Sequence, residues 1–233
     1  KQEKFFDIVT YTGNGSNRTI SHNLGSVPGM MIVKSTTRVD SWAVYHRGMN
    51  GGTNPEQYYM SLNTSSGQSQ DSYFWNDTAP TSTVFSLGTQ DMVNKSGESY
   101  VAYLFAHDEQ EFGEDSDEAI IKCGYYTTDS SGDASINLGF EPQFIFAKRA
   151  DGTGDWFIND VMRVIATDGN DPYLVPNSSA AENSSYNYYD LTPTGFKHDG
   201  GFTSSTYIYM AIRRPHKPAS EFAATDLFSM DAA

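Results

Sequence analysis

A segment near the start of the chain returns about half-way along, and the return keeps register. Asn23-Leu24-Gly25-Ser26-Val27-Pro28 reappears as Asn137-Leu138-Gly139-Phe140-Glu141-Pro142, 114 residues later. The same displacement carries Lys34 onto Lys148, Trp42 onto Trp156, Tyr59 onto Tyr173 and Asn63 onto Asn177. Further on, Thr81-Ser82-Thr83-Val84-Phe85 matches Thr192-Pro193-Thr194-Gly195-Phe196 at a displacement of 111, and Tyr100-Val101 matches Tyr207-Ile208 at 107. Several anchors in one register mark a duplicated structural unit. The falling displacement places deletions in the loops of the second copy, where they are tolerated. The chain therefore divides into modules over residues 1–113 and 119–215, with a tail over 216–233. Between the modules runs an acidic stretch, Asp108 to Glu118, whose self-repulsion reads as an extended linker.

Each module reads as short strands separated by turns. In the first, strands are expected over Phe6–Tyr11, Arg18–His22, Met30–Lys34, Trp42–His46, Tyr58–Leu62, Thr83–Phe85 and Tyr100–Phe105. Gly13-Asn14-Gly15 and Asn23-Leu24-Gly25 supply residues that tolerate positive φ. In the second, Phe144–Lys148, Trp156–Ile158 and Tyr207–Ile212 repeat the pattern. Aromatic residues are 14% of the chain, and Tyr, Phe, Val, Ile and Thr suit half-buried pleated surfaces. The expected fold is all-β: two tandem β-sandwich modules of jelly-roll or lectin-like kind. No stretch before residue 216 sustains a helical period. The tail breaks the pattern at Pro215 and Pro218, and Ser220 to Met230 reads as one short amphipathic helix or an arm that docks on a neighbour.

Charge narrows the partners. Fifteen basic residues against 29 acidic ones give a net charge of −14, which repels phosphate backbones and anionic lipid alike. Neither nucleic acid nor membrane is expected as a partner. The single cysteine, Cys123, permits no intrachain disulfide and reads as a small buried hydrophobe. No run of about 18 apolar residues marks a transmembrane helix. No signal peptide is read, and a first residue of Lys1 suggests a chain processed or cut from something longer.

The search for chemistry is mostly negative. No Gly-x-Ser-x-Gly elbow accompanies the many serines. His22 and His46 lie in expected strands without acids nearby in sequence and read as polar strand residues, so no enzyme is expected. Zinc would need paired Cys or His at short spacing, which the chain lacks. Calcium has better candidates: Asp129 and Asp133, Asp151 and Asp155, and Asp168 and Asp171 sit in glycine-rich loops that could offer carboxylate and carbonyl oxygens. Turn chemistry accounts for the same aspartates, so no cofactor is required. Trp42 and Trp156 occupy equivalent repeat positions and read as core. Trp75, Tyr73, Tyr186, Tyr188 and Tyr189 fall outside the repeated strands and are the candidate ligand-binding residues, since amphipathic rings stack on sugars and anchor interfaces.

Thr10-Tyr11-Thr12-Gly13-Asn14-Gly15-Ser16-Asn17-Arg18-Thr19-Ile20, then His22, Leu24-Gly25 and Pro28, resembles a repeat in structural proteins of tailed, often marine, bacteriophages. So do Trp75-Asn76-Asp77-Thr78-Ala79-Pro80, Val84-Phe85-Ser86-Leu87-Gly88, Tyr100-Val101-Ala102-Tyr103-Leu104-Phe105-Ala106 and Tyr207-Ile208-Tyr209-Met210-Ala211-Ile212-Arg213-Arg214. The similarity runs up to Pro215. The second module departs from the pattern: Gly13-Asn14-Gly15 has no clear counterpart, and the Trp75 position reads as Tyr186. The resemblance implies a non-enzymatic virion structural protein, a tail-fibre or adhesin-like component on the particle exterior. Its partners would be other virion proteins, copies of itself as in trimeric fibres, and a host-surface glycan. A capsid decoration or head-fibre protein and a secreted carbohydrate-binding module are the alternatives.

Overall fold

Alternating side chains dictate the strands. Ser99–Phe105, for instance, buries Tyr100, Ala102 and Leu104 and turns Val101, Tyr103 and Phe105 to the other face, the period-two pattern of a sheet. The computed structural model describes residues 2–112 and 118–214. The first module comprises β1 (Phe6–Thr12), β2 (Arg18–Ser21), β3 (Met30–Ser35), β4 (Ala43–His46), β5 (Tyr58–Ser61), β6 (Ser69–Gln70), β7 (Val84–Leu87) and β8 (Ser99–Phe105). The second comprises β9 (Ile121–Thr127), β10 (Ala134–Asn137), β11 (Pro142–Arg149), β12 (Trp156–Asp160), β13 (Tyr189–Thr192), β14 (Gly195–His198) and β15 (Thr206–Arg213). Two one-turn helices, α1 (Ser72–Trp75) and α2 (Asp91–Asn94), interrupt the first module and are too short to leave a helical period in the sequence.

The duplication is visible in the hydrogen-bond ladders. A six-stranded sheet runs β1-β8-β3-β4-β5-β6, and a four-stranded sheet runs β12-β11-β15-β9, so its β9-β15-β11-β12 reproduces the first four strands. All pairs are antiparallel, and Lys34 faces Val101 in one module as Lys148 faces Ile208 in the other. The displacements of 114 and 107 are thereby tied together by strand register. Smaller sheets, β2-β7 and β10-β14-β13, form the second layers. They meet the larger sheets through Ile20, Phe85 and Leu87 in the first module, and through Ile136, Tyr189 and Phe196 in the second.

Individual contacts repeat as well. Tyr11 stacks on Tyr100 with ring centroids 5.2 Å apart, and Tyr126 stacks on Tyr207 at 5.3 Å. Phe85 and Phe196 meet Tyr11 and Tyr126 edge-on. Asn63 Oδ1 accepts from the Trp42 amide at 3.0 Å, and Asn177 Oδ1 from the Trp156 amide at 2.9 Å. Gly25 and Gly139 turn the chain at φ values of 79° and 80°, a conformation glycine adopts without steric cost.

The modules share one interior. The outward face of the four-stranded sheet, with Cys123, Phe146, Ile208 and Met210, packs into the same apolar cluster as Met30, Val44 and Met60 of the first module. Polar contacts fasten this junction. His46 accepts from the Gly48 amide through Nδ1, so its Nε2–H donates to the Tyr209 carbonyl at 2.9 Å. Trp156 Nε1–H donates to the Ser61 carbonyl at 3.1 Å. Lys148 is fully buried, and its ammonium is caged by the carbonyls of Ser65, Arg149 and Gly154 at 3.0, 3.1 and 2.7 Å. Burial pulls its pKa down to about 8, partly offset by Asp155.

The linker expectation needs correction at both described ends. Phe112 and Glu118 exchange backbone hydrogen bonds of 3.0 and 2.9 Å, and the Asp108 amide donates to the Ile121 carbonyl. Asp108 also pairs with Lys122 at 3.1 Å. Both described ends of the acidic run are pinned, because local charge repulsion is outweighed there by backbone pairing and ion pairing. Its centre, residues 113–117, and the tail expected as helix or arm, residues 216–233, lie outside the described residues.

Candidate functional site

The two modules fill one place with different residues: Phe74 and Trp75 beside β4 and β5 in the first, Tyr188 and Tyr189 beside β12 in the second. In the first, a turn of helix carries them. Asp71 caps α1 by accepting from the Tyr73 amide at 2.9 Å. The helix then lays Phe74 on Tyr59, with centroids 3.7 Å apart, and sets Trp75 edge-on against Tyr45 at 5.9 Å. Trp75 is 1% exposed and its Nε1–H donates to the Tyr58 carbonyl at 2.9 Å. Both the ring and its donor are committed to the interior, so Trp75 is a core residue and not a ligand platform. Tyr73, on the same helix, is 62% exposed beside a shallow polar groove with Gln57, Gln70 and Asp77.

In the second module no helix among the described residues corresponds to α1, but Tyr188 and Tyr189 stand where the first module has Phe74 and Trp75: the Tyr188 carbonyl accepts from the Asp199 amide as the Phe74 carbonyl does from Gly88, and Tyr189 is as buried as Trp75. A cleft of about 800 Å³ opens beside them. Phe157, Tyr173 and Tyr188 form its aromatic wall, meeting one another at 5.0 to 5.3 Å. Tyr186, 55% exposed, leans on Tyr188 at 5.6 Å. Asn63, Ser65, Asp155, Asn177 and Asn183 supply polar groups. A second chamber, of about 400 Å³, continues from the first, sharing Asp155, Phe157, Tyr186 and Tyr188 and reaching Asn187, His198 and Phe202. Tyr188 is half-buried, whereas Tyr189 is 1% exposed and packs its ring against Phe196 and His198. Of the five aromatic candidates, Tyr186 and Tyr188 therefore present rings to this cleft, Tyr189 supports it from the core, Tyr73 lies elsewhere, and Trp75 is inaccessible.

The cleft stays open because of what its wall segment does not bind. In the first module, residues 61–69 dock on the second: Ser65 O accepts from Gly154 at 2.9 Å, and the Gln68 amide donates to Ala150 O at 2.8 Å. Gly67 makes this approach possible, since a Cβ there would fall 2.8 Å from the Ala150 carbonyl oxygen. The counterpart segment, residues 175–183, has Ala181 at that position. A third module could not dock there in the same way, and the segment lines the cleft instead.

Asp171 organises the site from behind. It is fully buried and accepts from the amides of Ala166, Tyr188 and Tyr189 at 2.9, 3.0 and 2.9 Å. Burial raises its pKa, while the three amides oppose the rise. Asp155 fixes Asn177 by accepting from its Nδ2 at 2.8 Å. His198 is almost wholly buried, with Nδ1 2.6 Å from the Tyr126 hydroxyl. Desolvation lowers its pKa to about 4, so the imidazole is neutral at physiological pH.

The carboxylates of Asp129, Asp133, Asp151, Asp155 and Asp171 already accept hydrogen bonds from the protein. Asp129 Oδ1 accepts from the amides of Ser131 and Asp133 at 2.7 and 3.0 Å, an Asx turn. Asp133 accepts from Gly200, and Asp151 pairs with Arg149 while accepting from the Thr206 amide. The Asp168 amide donates to Asp190. Among the described residues, no group of three His, Cys, Asp or Glu is placed to hold a metal ion. Cys123 is fully buried, and desolvation raises its thiol pKa.

An aromatic wall of edge-to-face and tilted rings, edged by amides, hydroxyls and a carboxylate, suits a polyhydroxylated ring, which offers an apolar face and many donors and acceptors. Phe157, Tyr173, Asn177 and His198 are not singled out as binding residues by the sequence, and Asp171 is singled out only as a calcium candidate. Tyr173 and Asn177 had been visible only as repeat anchors.

An all-β, duplicated module with an open aromatic cleft is the class of protein defined here. The chain belongs to a domain family of unknown function, DUF7483, which matches residues 1–215. No curated protein matches it.

Proposed function

We propose that this chain is a non-enzymatic structural protein of a tailed-phage virion, an adhesin-like part of the tail fibre whose second module recognises a host-surface glycan. The observation that carries the binding part is the open cleft walled by Phe157, Tyr173, Tyr186 and Tyr188. A rigid two-layer scaffold presenting an aromatic loop is a common way to build a recognition surface. The virion part is supported by the motif resemblance, which runs nearly the whole length of both modules. The buried, Tyr126-bonded His198 fits a binding role better than acid–base catalysis.

Two experiments test this reading. Mass spectrometry and gold-labelling of purified particles should place the chain on the tail. Absence from particles would remove the virion role, and labelling of the head would make it a decoration protein. A glycan array with the folded chain should give discrete binding that Tyr186→Ala abolishes, and a flat array would remove the adhesin role.

A further inference from the structure

The chain carries 29 acidic residues for 15 basic ones, yet one arginine stands without an acid. Among the described residues, Arg47 has neither an ion pair nor a hydrogen bond, whereas Arg18, Arg38, Arg149, Arg163, Arg213 and Arg214 are all engaged. Arg47 is exposed and lines a groove of about 340 Å³ at the module junction, together with His107, Tyr125 and Tyr209. This groove shares no lining residue with the aromatic cleft or its second chamber. Glycine makes the room for it. The turn after β4 passes Asn50, Gly51 and Gly52 at φ values of 51°, 62° and 76°, and a Cβ at Gly48 would fall 2.8 Å from the Gly124 carbonyl oxygen. Tyr125 lies across this turn, since a Cβ at Gly52 would meet its ring at 3.1 Å.

The side chains gathered here are donors. The Tyr209 hydroxyl has no hydrogen-bond partner among the described residues and keeps contact with solvent. Burial, with Cys123 and Asp108, raises its pKa, and the Arg47 charge works against the rise, so the hydroxyl is protonated and within electrostatic reach of the guanidinium. His107 accepts from the Cys123 amide through Nδ1 at 3.1 Å, so its Nε2 carries the ring proton. No acidic side chain among the described residues lines the groove, and Asp108, the acid that acts on Tyr209, is held by Lys122 at 3.1 Å.

We infer that this groove binds the oxyanion group of a small ligand: a carboxylate, sulfate or phosphate. Such a group only accepts, which matches a set of side chains that only offers hydrogens. The guanidinium is charged at every working pH and takes two oxygens in parallel, while the Tyr209 hydroxyl and His107 Nε2–H donate to those that remain. The Tyr125 ring walls the part of the ligand that carries the group. A neutral ligand forfeits the charge assistance that makes these bonds about twice as strong. The site is independent of the glycan cleft, and either stands without the other.

The test is an NMR titration of the full chain at constant ionic strength. The probes are inorganic phosphate, inorganic sulfate, glucuronic acid and N-acetylneuraminic acid, with methyl glucoside as the neutral control. At least one anionic probe should shift the Arg47 Nε–H and His107 imidazole signals, while methyl glucoside leaves them still. Arg47→Gln, at an exposed position and shown to melt like the parent, should weaken that probe about tenfold or more, the factor of a charge-assisted hydrogen bond. Tyr209→Phe should weaken it about fivefold, as for one neutral hydrogen bond. A response to the two sugar acids alone supports the site and makes its ligand a carboxylated sugar. A response to the inorganic ions supports it with a sulfate or phosphate as the ligand group. Silence from every anion would overturn the site, as would an equal response to methyl glucoside or binding that Arg47→Gln leaves unchanged.

Discussion

The first module sets Phe74 and Trp75 beside β4 and β5, and the second sets Tyr188 and Tyr189 at the matching place, beside an open cleft walled by Phe157, Tyr173 and Tyr188. The order of four strands of the larger sheet and the stacked tyrosine pair are the same in both. The modules differ in the added strands β5 and β6 of the first, the added β13 of the second, one capped turn of helix and the destination of one loop segment. Residues 61–69 dock on the other module, and several residues of 175–183 line the cleft. Of the two copies of this segment, one forms the internal joint, and the proposed site is built on the other.

The largest expected effect falls on the core of the first module. Trp75→Ala should cost about 3–5 kcal/mol of stability by leaving a cavity against Tyr45. Tyr186→Ala should change stability by less than about 0.5 kcal/mol, as expected for an exposed ring. Denaturant titration of both variants checks the pair, and equal losses would erase the distinction between core and site.

Next is pH. Burial holds His46 at about 3 and His198 at about 4, against 6.5 for a free imidazole. Between those values the unfolded chain binds protons that the folded chain does not, so stability is full above pH 6.5 and falls as pH drops below it. Each histidine contributes a slope of about 1.4 kcal/mol per pH unit in that window. Melting followed between pH 7 and 5 should show the decline, and His46→Gln should remove the share belonging to the junction. Asp171→Asn replaces one acceptor oxygen with a donor that faces backbone amides, and should cost about 2 kcal/mol. It should also loosen Tyr188 and weaken binding at the cleft; retained stability would show that Asp171 is dispensable there. The smallest contrast sets Trp156 against Trp42. Trp156→Phe loses the bond to Ser61 across the junction, about 1 kcal/mol. Trp42→Phe, at the partly exposed counterpart whose indole has no such bond among the described residues, should be close to neutral.

The modules were legible because Lys34, Trp42, Asn63 and their partners sit at fixed points of a ladder whose pairing needs the same spacing twice. Strand ends differed from expectation by a residue or two, where pairing frays into turns. Trp75 was misread because α1 is one turn long, and its burial depends on Tyr45 and Tyr58, which lie far away in sequence. Asp171 was read among loop aspartates as a cation candidate, whereas its oxygens serve the amides of Ala166, Tyr188 and Tyr189. Tyr186 and Tyr188 could be named from their loop. Their neighbours Phe157 and His198 could not, since only the fold brings β12 and β14 to that loop.

The most direct test of the division between the modules is glycan-array binding of the wild-type chain beside Tyr186→Ala and Tyr73→Ala, each variant first shown to melt like the parent. The two tyrosines are similarly exposed, one on each module. Loss of binding with Tyr186→Ala and retention with Tyr73→Ala is the predicted result. Loss with Tyr73→Ala and retention with Tyr186→Ala would place recognition on the first module and contradict the account.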